Sequence, residues 1–138
     1  MAYKKLLRDK NDNPVGILPQ AFEMRKEKNE KTLSVNWLEY FGNNHEDNIV
    51  KAIKSFRLSR NNKVGEHSAF GIANVGKLED TCAKHRHTKV RVLYDEKKNS
   101  SNNKSHATII RLPINDLAIM QSLASVVFTE LVSNKDIP

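Results

Sequence analysis

The sequence predicts an α+β domain, and three observations carry that prediction. Runs that alternate with period two, such as Thr32–Trp37, sit between segments with helical spacing, such as His45–Leu58. The two kinds mix along the chain instead of segregating into a parallel βαβ series. At 138 residues the chain has the size of one domain, 1–138, and no internal repeat or interdomain linker divides it. The expectation is a mixed or antiparallel sheet of about five strands, about three helices, and a C-terminal helix packed on the sheet.

Residues 3–20 read as a short strand and a partly irregular loop. Asp12-Asn-Pro14 signals a turn, and Gly16 and Pro19 keep the backbone out of a helix. Ala21–Arg25 sets Phe22 and Met24 on one side. After a charged turn, Lys26–Lys31, the run Thr32–Trp37 alternates Leu33, Val35 and Trp37 with Ser34 and Asn36. The two runs are expected to form a half-buried hairpin, with Trp37 in the core. Leu38–Phe41 continue it or turn into a helical cap, and Gly42 ends it.

His45–Leu58 is the first expected helix. Asn44 suits its N-cap, Glu46 and Asp47 suit its dipole, and Ile49, Ala52, Ile53 and Phe56 form a core-facing stripe. Ala69–Val75 reads as a strand, and Lys77–Lys84 as a short helix with Leu78 and Cys82 on one side. Val90–Asp95 and His106–Leu112 are two further strands, with Tyr94 in phase with the core positions Val90 and Val92. The loop between them, 96–105, is rich in Asn and Ser and is expected to be mobile. Pro113 halts the last strand, and Asn115 or Asp116 caps the final helix, Leu117–Val132. Its apolar side spans roughly half the circumference, more than the ~100° a surface helix needs. Central packing is therefore expected, with a dimer or protein-partner face as the alternative. Residues 133–138 are expected to fray.

Charge narrows the function. The chain carries 23 Lys and Arg against 16 Asp and Glu, a formal net charge of +7, the footprint of a polyanion binder. Eight of those cations and three of the five His lie between Lys84 and Arg111, opposed only by Asp95 and Glu96, so this stretch supplies +6 of the +7. The candidate nucleic-acid contacts there are Lys84, Arg86, Lys89, Arg91, Lys97, Lys98 and Lys104. A second acid-free run supplies Lys51, Lys54, Arg57, Arg60 and Lys63. The single cysteine, Cys82, excludes an intrachain disulfide and fits a reducing compartment. The N-terminus lacks the apolar run of a signal peptide, and Leu117–Val132 is interrupted by Gln121, Ser122, Ser125 and Glu130, so no membrane span is expected. The cytoplasm is the expected compartment.

No cofactor or metal motif is complete, and none is expected to bind. Gly71-Ile-Ala-Asn-Val-Gly76-Lys77 has the form G-x-x-x-x-G-K, but Leu78 stands where a magnesium-binding hydroxyl is needed. Cys82-x-x-His85-x-His87 offers three donors with Lys84 and Arg86 interleaved, and no second Cys pair closes a zinc site. His106-Ala-Thr108 has the H-x-[ST] form and resembles one half of the two-histidine phosphoesterases; no second H-x-[ST] accompanies it. A metal-free nuclease would need a general base, a general acid and a phosphate-binding cation, which His106, His87 or His85 with nearby Lys and Arg could supply. His87 and His106 would meet if their strands were parallel, and would lie at opposite ends of an antiparallel pair.

The reading from sequence is a basic module that binds RNA or DNA backbones, acting as an accessory subunit. The alternatives are a His-dependent phosphodiesterase and a subunit docking a protein through its last helix.

Overall fold

The computed structural model describes residues 6–25, 29, 31–61, 63–94 and 104–138. Among them the fold is α+β, with three helices and seven strands in three small antiparallel sheets, two strands beyond the expected count.

The turn at Asp12-Asn-Pro14 is where sequence placed it, but strands flank it on both sides. Strand β1 (Leu6–Arg8) pairs with β2 (Pro14–Ile17), and Asp12 takes the left-handed conformation (φ 63°) in the turn. The Asp9 carboxylate accepts the amides of Asn11 and Asn13, and the Asn13 bond leads in holding its carboxyl below the usual range.

The expected hairpin of Ala21–Arg25 with Thr32–Trp37 does not form. Pro19 instead begins a 3-10 turn, Pro19–Phe22, and Met24 binds the side chain of Asn115. Strand β3 (Leu33–Asn36) then pairs with a distant segment. It lies beside β6 (His106–Ile110), whose other edge takes β5 (Arg91–Tyr94), giving the order β3-β6-β5. Leu33 and Val92 both face Ile109, so the alternation seen in sequence closes on one buried face.

Helix α1 (His45–Ser59) has the predicted cap, with Asn44 accepting the Asp47 amide. Ile49, Ala52 and Ile53 are buried, and Phe56 meets the Phe70 ring edge-on. Strand β4 (Ala69–Ile72) precedes α2 (Val75–Lys84), which is capped by Asn74 and buries Leu78 and Cys82. Burial, then Glu79, pushes the Cys82 thiol up, so it stays protonated in the core. Gly71 is a packing glycine: a Cβ there would run into Ile17.

The final helix is shorter than expected. Helix α3 (Leu117–Ser122) continues as a π-helical stretch, Leu123–Val127, and the chain then extends as β7 (Glu130–Ser133) against β4. Helical spacing persists through Leu131, but β4 has no other sheet partner among the described residues, and tertiary pairing overrides local periodicity. The π-turn also rotates the stripe. Ile119, Met120, Leu123 and Val127 are buried, whereas Leu117 is 56% exposed. This segment packs in the core, as favoured from sequence.

Residues 133–138 are bonded to the rest of the domain. Asn134–Asp136 form a 3-10 turn, buried Asn134 binds the Ser68 and Gly65 carbonyls, and Arg57 holds the segment from α1. No helix among the described residues is long and apolar enough to cross a membrane.

Candidate nucleic-acid interface

A basic exposed surface is built where α2 stops. The Arg86 amide bonds the Ala83 carbonyl, and the His87 amide bonds the Cys82 carbonyl, both at 2.9 Å. These are the paired bonds of a Schellman stop, which requires a left-handed residue between them, ordinarily glycine. Here Arg86 fills it, at φ 68°. The stop ends the helix sharply and turns Lys84, Arg86 and Lys89 outward, all of them exposed. Arg91 follows at the start of β5, exposed, with Nη1 donating to the carbonyls of Thr88 and Val90.

The register adds a cation that sequence reasoning left out of the site. Arg91 sits opposite Ile110, so the next residue, Arg111, lies at the same end of the sheet. It too is exposed and left-handed, at φ 60°. The signal in sequence was its membership of the basic stretch Lys84–Arg111; it fell inside the expected strand His106–Leu112, whereas β6 ends one residue before it. Arg91 and Arg111 thus share the Ile110 end of the sheet, and Lys84, Arg86 and Lys89 lie on the helix stop and turn that lead into it. Among the described residues, Asp116 is an acid beside this turn, 4.0 Å from His87 Nε2 and also the N-cap of α3.

The other site residues distribute as follows. Lys104 is exposed at the far end of β6, and Lys97 and Lys98 lie outside the described residues, as do residues 96–103 of the expected mobile loop. On α1, Lys51 and Lys54 are exposed, and so are Arg60 and Lys63 beyond it. Arg57 is not available as a phosphate ligand. Its guanidinium donates to the Asn134 side chain and to the carbonyls of Asn134, Ile137 and Pro138. Arg60 lies 5.3 Å over the Phe56 ring.

The candidate catalytic histidines are not brought together. His85 meets Ser122 at 3.1 Å and His87 faces Asp116, both beside α3. His106 begins β6, paired with Asn36 and only 3% exposed. Because β5 and β6 are antiparallel, His87 lies beyond the Ile110 end, four residues or roughly 13 Å along β6 from His106. Among the described residues no three His, Cys, Asp or Glu side chains converge as a metal site.

Two features lie outside the basic end. A cavity of about 1060 Å³ separates the α1 stripe from the inner sheet face, lined by Leu33, Val35, Ile49, Ile53, Ala107 and others. His45 and Glu130, 2.9 Å apart, stand among its polar lining. At the Ala107 end of the sheet, Trp37 and Tyr94 are exposed instead of being core residues, as is Tyr40 from the 3-10 turn Leu38–Phe41. Trp37 lies just past β3 and Tyr94 is the last residue of β5, so their alternation outruns the cover that buries Val35 and Val92.

No family model, curated protein or solved structure matches this chain.

Proposed function

We propose that the protein binds nucleic acid through the five cations at the Ile110 end of the β3-β6-β5 sheet and on the turn that leads into it. The observation that carries this reading is the placement of Arg86 and Arg111, two exposed arginines on left-handed backbone. A left-handed non-glycine residue costs about 1–2 kcal/mol, a cost that a glycine would avoid. Arginine at both positions gives up that stability and gains two outward guanidinium groups, each suited to bidentate phosphate contact. In this reading the protein is a binding module, an accessory subunit acting in the cytoplasm. The separation of His106 from His85 and His87 supports binding over phosphodiester cleavage.

Fluorescence anisotropy over a salt series tests it. Five phosphate contacts predict log K falling against log salt with a slope near −4.5 on duplex DNA and roughly −3.5 on a single strand. Arg86→Glu with Lys89→Glu should lower affinity at least ~10-fold at low salt. No anisotropy change at low salt, or indifference to the double reversal, would sink the proposal. A denaturing gel of the same samples should show intact nucleic acid; shortened strands that persist after purification controls and vanish with His106→Ala would replace binding with catalysis.

A further inference from the structure

We infer that the ligand is single-stranded, its bases stacking on Trp37, Tyr40 and Tyr94 while its backbone follows the edge of β5 toward Arg91. The inference rests on the nucleic-acid reading above and adds the substrate class.

Strand β5 is an edge of its sheet, with the basic turn at one end and the aromatic group at the other. Arg91 and Tyr94 are three residues apart on β5, roughly 10 Å at the rise of a strand, and their side chains leave opposite faces of the sheet, so a short oligonucleotide that meets both has to cross the free edge of β5. The aromatic group is large and open. Trp37, Tyr40 and Tyr94 are 41%, 40% and 48% exposed, although such side chains usually dominate cores. Their ring centroids lie 5.6 Å apart for Trp37 and Tyr94, and 6.2 Å apart for Tyr40 and Tyr94, the latter nearly parallel at 15°.

The rings are also held in place. The Tyr94 hydroxyl donates to the Lys104 carbonyl at 2.7 Å, and the Trp37 amide donates to the Ser105 carbonyl at 2.7 Å. The Tyr40 amide bonds the Trp37 carbonyl, and left-handed Gly42 closes the turn behind it. Lys104, pinned by its own backbone beside Tyr94, adds a cation to the aromatic end; Glu39 is the acid on the turn itself. Fixed aromatic faces next to cations are what sequence-tolerant single-strand binding uses. A duplex keeps its base faces stacked inside and can engage only the basic end.

The chain has one tryptophan, so Trp37 emission reports the platform directly. A single-stranded oligonucleotide should quench it at saturation, while a duplex of the same sequence, bound to equal anisotropy, should not. Trp37→Ala and Tyr94→Ala should each lower single-strand affinity by roughly 5-fold or more and leave duplex affinity within about twofold. Tyr94→Phe, which keeps the ring, should retain single-strand binding and the quench. If Arg86→Glu with Lys89→Glu weakens both ligands while Trp37 stays unquenched and both alanine variants bind normally, the platform is wrong and the nucleic-acid reading survives. If neither strand form binds at low salt, both fail; recruitment of a protein to the platform without any oligonucleotide effect would likewise overturn it.

Discussion

Two basic runs look alike in sequence and are used differently in the fold. On α1, Arg57 straps residues 134–138 to the domain and Arg60 covers Phe56, which leaves Lys51, Lys54 and Lys63 as flexible cations on a solvated surface. Between α2 and β5, the exposed cations sit on a helix stop fixed by its own backbone bonds, and Arg111 joins them across the sheet register. Charge counted along a chain does not separate these cases. What separates them is how far the guanidinium groups are committed: every nitrogen of Arg57 donates to residues 134–138, whereas Arg91 gives Nη1 to local carbonyls and stays exposed with Arg86 and Arg111. Basic residues of the first kind stabilise; those of the second kind are positioned for a ligand.

The largest expected effect lies on the stabilising side. Arg57→Ala removes four hydrogen bonds from a charged donor and leaves buried Asn134 without one of its partners. A loss of about 2–3 kcal/mol is expected, lowering Tm by roughly 5–12 °C. Calorimetry checks the stability, and anisotropy below the new Tm should find nucleic-acid affinity unchanged. A loss of affinity with normal Tm would reverse the assignment of the two regions.

Next comes a substitution in which stability and binding should move in opposite directions. Arg86→Gly relieves a left-handed arginine, worth about 1–2 kcal/mol, against about 0.4–1 kcal/mol of extra freedom in the unfolded chain. The net expectation is roughly 0.5–1 kcal/mol of added stability. The same change deletes one phosphate contact, so the salt slope should become shallower by about 0.7 on a single strand. Denaturant titration and the salt series read the two effects separately. Arg86→Gly that stabilises without touching affinity would make the turn a structural feature only.

How much of this was legible in the sequence depends on the range of the interaction involved. Helices α1 and α2 were, because caps and stripes are local: Asn44 and the buried Ile49, Ala52 and Ile53 stand where spacing put them. The antiparallel β5–β6 pair was also legible, since two alternating runs flank a polar segment. The partner of β3 was not, because pairing with His106–Ile110 is settled by a contact some 70 residues away, and Pro19 diverts the nearer candidate. The end of α3 was hidden for the same reason: Leu131 keeps helical phase but is claimed by Gly71 of β4. At the site, Lys84, Arg86, Lys89 and Arg91 were readable from charge alone. Trp37 and Tyr94 were misplaced because alternation gives a side chain's face and says nothing about where the opposing cover stops.

The smallest expected effect tests the comparison from the other side. Lys51 and Lys54 project from the middle of α1, whose buried side lines the cavity instead of the basic end. Their charges lie on flexible stems in water, where screening at 0.15 M salt limits their reach to about 8 Å. Lys51→Glu with Lys54→Glu moves the net charge by four units, as does any double charge reversal, including Arg86→Glu with Lys89→Glu. If net charge alone drove association, the two pairs would weaken binding equally. If position decides, the α1 pair should change affinity by about twofold at most near physiological salt, leave the slope within experimental scatter, and shift stability by no more than ~0.5 kcal/mol. Running both pairs on one oligonucleotide at one salt concentration separates the two accounts, because total charge is matched and only its placement differs. Equal losses would return the α1 face to the interface and make a second phosphate-contacting surface necessary.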